Sequence, residues 1–322
     1  MKRFHKILYL CEAEGDQQAA LARAVTLAEG NQATLTVLDA VPAISDSVLM
    51  PVGLPPDASL QDALVADRRE RIETLVQPFR ARMAIEVDVC VGALHLQATR
   101  AVLRDGFDLI MKPAENPAWT QRLFGGDDMH LLRQCPVPVW LMKPGEKARY
   151  SRIMAAVDFD PEQSASIRSP LNRQILELAA SLAIGDVAEL QLAHVWDAPA
   201  EMLVRRWSSQ READTARYVD AERARHQQAL GELHGWLGKL IGAEAIELLA
   251  PRRHLSRGAA RTLLPELAQA LEVDLVVMGT VGRTGIAGLF IGNTAETVLE
   301  QLRCSVLAVK PPGFVSPVRA ED

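Results

Sequence analysis

Cysteine is scarce in this chain. The four that occur, Cys11, Cys90, Cys135 and Cys304, stand far apart with no Cys-x-x-Cys pair. That spacing offers neither a zinc ribbon nor a disulfide framework and reads as buried thiols in a reducing compartment. Excess positive charge is missing as well. The net charge is −6, which does not favour a nucleic-acid backbone as partner. No apolar run approaches the roughly 20 residues that span a bilayer. The run Ile7 to Cys11, behind the basic start Met1-Lys2-Arg3, is too short for a secretory leader and runs into Glu12. These absences predict a cytoplasmic protein with no membrane span and no nucleic-acid partner.

Several chemistries lack their residues. No Gly-Lys-Ser/Thr phosphate loop and no Gly-x-Gly-x-x-Gly occurs. His226 and His234 are spaced i, i+8 on one helical stretch, not the i, i+3 or i, i+4 of helix-borne metal ligands. No Ser-His-Asp set or carboxylate pair can be placed together from the sequence, so catalysis has no positive support. What remains is a chain of 322 residues, 48% hydrophobic and 24% charged, the size and balance of two ordinary globular domains.

One stretch concentrates the information. An apolar run from Leu275 to Met278 ends in Gly279, a glycine-rich loop follows, and Gly292-Asn293-Thr294 opens a helical pattern carrying Val298, Leu299 and Leu302. A short apolar run bounded by glycine reads as a buried parallel strand. Strand, glycine loop and helix start together form an anion site, because the first N–H groups of a helix lack partners and glycine lets a phosphate approach the backbone. The same pattern also suits a glycine-rich turn that binds nothing.

The chain also repeats itself. Lys6 to Glu12 matches Arg152 to Asp158, Thr34 to Val41 matches Glu189 to Trp196, and Asp108 to Pro113 matches Asp274 to Gly279. His95-Leu96 matches His254-Leu255, and Cys135 with the strand after it matches Cys304 with Ser305 to Lys310. Each half alternates short apolar runs with helical patterns of ten or more residues, the rhythm of a parallel α/β sheet. Pro144-Gly145-Glu146-Lys147 reads as the linker between domains 1–145 and 151–312.

The spacing Gly279-x2-Gly282-x9-Gly292 closely resembles the ATP-binding motif of the universal stress protein family, with Asn293 standing where that family has Ser or Thr and Thr294 following. Both halves resemble domains of that family. The resemblance implies an α/β fold of two tandem, doubly wound, five-stranded parallel sheets, paired through their last strands, Val137 to Lys143 and Ser305 to Lys310, as a pseudo-dimer within one chain. Such pairing would cover two exposed edges, and the family's habit of dimerising keeps a homodimer open.

It further implies a stress-response protein binding ATP, or another adenine nucleotide, without robust catalysis. Asp158 and Val195 would lie near adenine and ribose. Met278, Gly279, Gly282, Gly292, Asn293 and Thr294 would take the motif's places, and Arg283 offers a fork of donors to a phosphate. The first half departs from the motif: Pro113 replaces Gly279, Glu115 to Pro117 stand near the second glycine, and Asp127 and Asp128 follow Gly126. Proline removes a backbone donor, and two carboxylates repel phosphate, so that half reads as a degenerate partner.

Other residues are weighed on their own terms. Asp158 is read as a buried acid at a strand end, held either by backbone N–H groups of Phe159 to Ser164 or by a ligand. His194 either touches a ligand or closes a strand end. Ser164, Ser166 and Ser169 read as helix caps ahead of phosphorylation sites, and Glu212 to Arg225 as a solvated helix face. Two other functions stay open. A slow ATPase would need Asp158 to position water. A carrier or sensor of an amphipathic or acylated ligand would need Leu203, Trp207, Leu230, Trp236 and Leu237 to line a groove.

Overall fold

A computed structural model describes residues 3–11, 17–44, 59–114, 126–281 and 291–320. They divide into two compact units, one running to Arg149 and taking in 314–320, the other running from Tyr150 to Gly313.

The first unit alternates strand and helix: β1 (Lys6–Leu10), α1 (Gln18–Asn31), β2 (Thr34–Val41), α2 (Leu60–Val76), β3 (Ile85–Val91), α3 (Leu94–Asp105), β4 (Leu109–Pro113), α4 (Gly126–Gln134) and β5 (Val139–Met142). Its strands are parallel in the order β3-β2-β1-β4-β5. The second unit runs β6 (Arg152–Ala156), α5 (Ser164–Ile167), α6 (Pro170–Asp186), β7 (Glu189–Trp196), α7 (Glu201–Trp207), α8 (Arg211–Ile241), α9 (Ala243–Leu249), β8 (Arg252–Arg257), α10 (Ala260–Ala270), β9 (Leu275–Gly279), α11 (Asn293–Gln301) and β10 (Ser305–Val309). Its strands are also parallel, in the order β10-β9-β6-β7-β8. Each unit is therefore a doubly wound five-stranded sheet, the fold class expected from the repeat.

Central strands covered on both faces must be apolar throughout. Ile7 to Leu10 and Leu275 to Val277 are at most 1% exposed. One device recurs at the foot of each sheet. The Asp108 carboxylate accepts the His5 N–H at 2.7 Å and the Lys6 N–H at 3.2 Å, and Asp274 accepts the Ser151 and Arg152 N–H groups at the same two distances. The aspartate that opens the sequence match is thus not a strand residue. It pins the start of the neighbouring strand.

α1 passes through Gly30 and closes at Gln32, which adopts the left-handed conformation with φ 55°. α2 stops at Val76. A 3₁₀ turn over Gln77–Phe79 takes over because Pro78 has no N–H for the next helical bond. The match of His95 with His254 is wrong. His254 lies within β8 and His95 is the second residue of α3. The corresponding residues are Gly92 and Gly258, each at positive φ (123° and 142°) just before a helix. That register pairs His95 with Arg261. Ser169 does cap α6, its Oγ accepting the Asn172 N–H at 3.2 Å.

Candidate functional site

In a doubly wound sheet the crevice opens where strand order reverses, beyond the carboxyl ends of the strands. In the second unit the chain winds from β6 through β7 to β8 and then returns to the other side of β6 as β9. The reversal therefore falls between β6 and β9, where Ala156 stands opposite Met278 and, on its other side, opposite Ala193. Asp158 lies two residues past Ala156, Val195 two residues past Ala193, and Gly279 next to Met278. The register thus brings three of the expected elements to one end of the sheet.

The fourth is α11. The Gly292 N–H donates to the Thr280 carbonyl at 2.9 Å, which fixes the helix start against the end of β9. Thr280 is itself buried, and its N–H bonds the Val309 carbonyl. Gly292 is the N-cap, and a glycine cap supplies no side chain of its own. Asn293 and Thr294 are its first two residues and both are exposed. The leading N–H groups of a helix begun at glycine have no cap from that residue, the arrangement that gives helix N-termini their affinity for anions.

The two described glycines of the motif have different physical reasons. Gly292 sits at φ −65°, ψ 141°, ordinary extended backbone that any residue adopts, so conformation does not demand glycine there. At Gly279 a Cβ would lie 2.8 Å from Leu171 Cδ2 in the first turn of α6. Helix–strand packing alone accounts for that glycine. Gly282 and Arg283 lie outside the described residues, as do Glu115 to Pro117 of the first half.

Asp158 differs from its expected setting. β6 ends at Ala156, and Asp158 is exposed rather than buried. The backbone-holding role falls to Asp160, whose carboxylate accepts the Glu162 N–H at 3.0 Å and the Gln163 side-chain amide at 2.8 Å. The Asp160 N–H in turn donates to Ser166 Oγ. Asn172 ties the base of this loop down by donating to the carbonyl of Asp158 at 2.9 Å. An Asp-x-Asp pair after a strand is the signal that could have assigned one acid to the loop and left the other to solvent.

His194 neither points into open space nor simply ends a strand. It is 1% exposed, its Nδ1 lies 3.0 Å from the Val157 carbonyl and its Nε2 lies 3.0 Å from His226 Nδ1. Phe159 stacks on it at 3.8 Å. Leu230 and Leu237 of α8 are core residues at 3% and 0% exposure, whereas Leu203 and Trp207 of α7 are 61% and 80% exposed, so this set does not line one groove. Burial, reinforced by neighbouring arginines, lowers the proton affinity of His234 and His254 below the usual imidazole range. Among the described residues no group of three or more His, Cys, Asp or Glu side chains is arranged to hold a metal ion.

The corresponding place in the first unit is built differently. Lys112 stands at the position of Met278, and Asp128, the buried third residue of α4, at that of Ala295, the buried third residue of α11. The Lys112 and Asp128 side chains, 2% and 0% exposed, form an ion pair at 2.6 Å, and the same ammonium lies 3.3 Å from the Pro113 carbonyl. Asp127 turns to His95 Nδ1 at 2.9 Å. The two aspartates were expected to face the phosphate position and repel it. One is instead neutralised in the interior and the other is held by an imidazole.

The sequence profile of the universal stress protein family matches residues 3–143 and again 149–310. The chain belongs to the universal stress protein family. It is similar to Universal stress protein E of Escherichia coli strain K12, 28% identical over 330 residues covering 100% of this chain and 99% of that one. It is also similar to a Universal stress protein E homolog of Haemophilus influenzae, 26% identical over 318 residues covering 96% and 98%. Among solved structures, a functionally unknown protein from Pseudomonas aeruginosa PAO1 superposes with a TM-score of 0.68 at 25% identity, covering 96% of this chain and 94% of that one. A universal stress protein from Archaeoglobus fulgidus superposes with 0.60 at 16% identity, covering 95% and 96%, a likeness of fold alone. Among the described residues no helix is long and apolar enough to cross a membrane.

Proposed function

We propose that this protein is a nucleotide-binding stress-response protein, cytoplasmic, that takes ATP or a related adenine nucleotide in its second unit and does not turn it over robustly. The observation that carries the reading is the start of α11. A helix whose N-cap is a glycine is anchored by Gly292 N–H to Thr280 O at the end of β9, beside the point where strand order reverses. Phosphate oxygens suit the N–H groups of Asn293 and Thr294. Met278, Gly279, Gly282 and Arg283 complete the phosphate side, and Asp158 and Val195 stand on the adenine and ribose side. Asp158 is exposed at this end of the sheet, within reach of a ligand. The same residue is the candidate for positioning water in a slow hydrolysis.

In this reading the first unit has no site. The Lys112–Asp128 ion pair supports that by filling the corresponding interior with its own charges. Calorimetry with ATP tests both parts. Binding at no more than one site per chain, abolished by Gly292→Val, is the expected result. Because Gly292 has ordinary extended backbone, valine there obstructs the approach to the helix start without straining φ. Two equivalent sites, or binding undiminished in Gly292→Val, would overturn the reading.

A further inference from the structure

The second unit carries a buried pair of histidines that the nucleotide reading does not use. The Val157 carbonyl can only accept, so His194 Nδ1 carries the hydrogen of the 3.0 Å bond between them. Neutral His194 then presents a bare Nε2, and His226 Nδ1 must donate to it across 3.0 Å. The order of donors is fixed along the chain His226, His194, Val157. His226 is 7% exposed and His194 1%. His226 belongs to α8, and its neighbour Arg225 reaches Glu162 at 3.2 Å. Val157, Phe159 and Glu162 all belong to the segment that carries Asp158. His194 of β7, backed by His226, therefore holds the segment before Asp158, and Arg225 of α8 holds it after.

The first unit makes the same connection by other means. β2 and β7 match residue for residue, which places Asp39 where His194 stands. Asp39, 3% exposed, pairs with Arg68 of α2 at 3.0 Å. In both units this position ties the second strand to the helical segment after it. A permanent cation makes the tie in the first unit, and a second titratable ring makes it in the second.

We propose that His194 and His226 form a proton-sensitive clasp that holds the Asp158 segment in its binding conformation and releases it in acid. This inference rests on the nucleotide reading for its consequence but not for its mechanism. With no proton or one proton added to the pair, one facing nitrogen remains bare and the bond survives. With two, N–H faces N–H and the bond is lost, while two cations sit in a buried cluster with Phe159 and Trp196. Opening to water is the alternative to charging in place. The charged groups next to the cluster are Asp158 and Glu162 on the segment, Glu222 and Arg225 on α8, and Arg257 of β8 over the Trp196 ring at 5.8 Å. Arg225 is bonded to both acids Glu162 and Glu222, and Arg257 to Glu201. The sign follows: the folded clasp binds fewer protons than the open one, so it is firm at neutral pH and weakens as pH falls through the ordinary imidazole range, around 6.5.

Hydrogen exchange of the ligand-free full chain tests the clasp, and nucleotide titration tests its consequence. Corrected for intrinsic rates, amides of 157–163 should exchange at least about tenfold faster at roughly pH 5 than at roughly pH 7.5. His226→Asn keeps a donor near the Nδ1 position but cannot be protonated, and should flatten this ratio to about twofold or less. His226→Gln, with a longer reach, serves if the asparagine does not fold. ATP affinity should show the same difference between wild type and variant. Equal acid dependence of exchange in wild type and both variants overturns the clasp. An acid-sensitive segment in a protein that binds no nucleotide upholds the clasp and overturns only the nucleotide reading.

Discussion

The two units differ in where they place charge. Where β4 ends, the first unit has a buried Lys112–Asp128 pair, and the second has buried Met278 and Ala295 at the same positions. Where the second strand meets its helix, the first unit has Asp39–Arg68 and the second has His194–His226. The first unit closes both positions with full charges. The second fills the first with apolar side chains and closes the other with a pair of imidazoles. The two units share strand order and direction, and the side chains that finish the strand ends separate the roles proposed for them.

The largest expected effect breaks the Lys112–Asp128 comparison. Lys112→Met leaves Asp128 buried without its cation and should cost about 3–5 kcal/mol. Adding Asp128→Ala, which gives the pair found in the second unit, should recover most of that loss. Urea unfolding of both variants measures it, and a double variant as unstable as the single one would contradict the ion-pair account. Next in size is the second unit's segment. Asp158→Ala should weaken ATP binding by more than about tenfold, on the order of 1.4 kcal/mol, with unliganded melting nearly unchanged because the side chain is exposed. Asp160→Ala should do the reverse, costing about 1 kcal/mol of apo stability for its lost loop bonds. Calorimetry and thermal melts on the two variants separate the roles. If Asp158→Ala leaves affinity unchanged, its assignment to the ligand fails.

The smallest effect is a surface control in the first unit. Arg82 bonds the Glu29 carboxylate and holds its proton affinity below the usual glutamate range. Glu29 therefore binds fewer protons folded than unfolded. The pair's contribution is present above about pH 4.3 and is lost as pH falls below it. Both side chains are more than a third exposed, so Arg82→Ala should cost less than about 1 kcal/mol, and less still in high salt. Chemical denaturation at neutral and acid pH reads it.

The repeat made much of the fold legible, since a strand of Leu-Val-Val-Met closed by glycine has few places to go in a soluble protein other than the middle of a covered sheet. The burial of Asp158 and the match of His95 with His254 were misjudged for one reason. Each depends on where a strand or helix stops, and side-chain type is a weak guide to that. The aligned strands did hold a usable signal, Asp39 opposite His194, but one partner of each pair lies on a helix whose spacing from its strand differs between the units.

By itself, then, the sequence determined what is written in local pattern: two α/β domains, their parallel strands, the glycine stretch and the departure of the first half at Pro113. Those follow from period, run length and backbone chemistry, which act between neighbours in the chain. Only the tertiary structure decided that Asp128 faces a lysine 16 residues away, that His194 faces a histidine 32 away, and that Asp160 rather than Asp158 holds the loop. Whether a polar side chain is an internal partner or a free one depends on packing between distant segments, and burial fixes that when the chain folds.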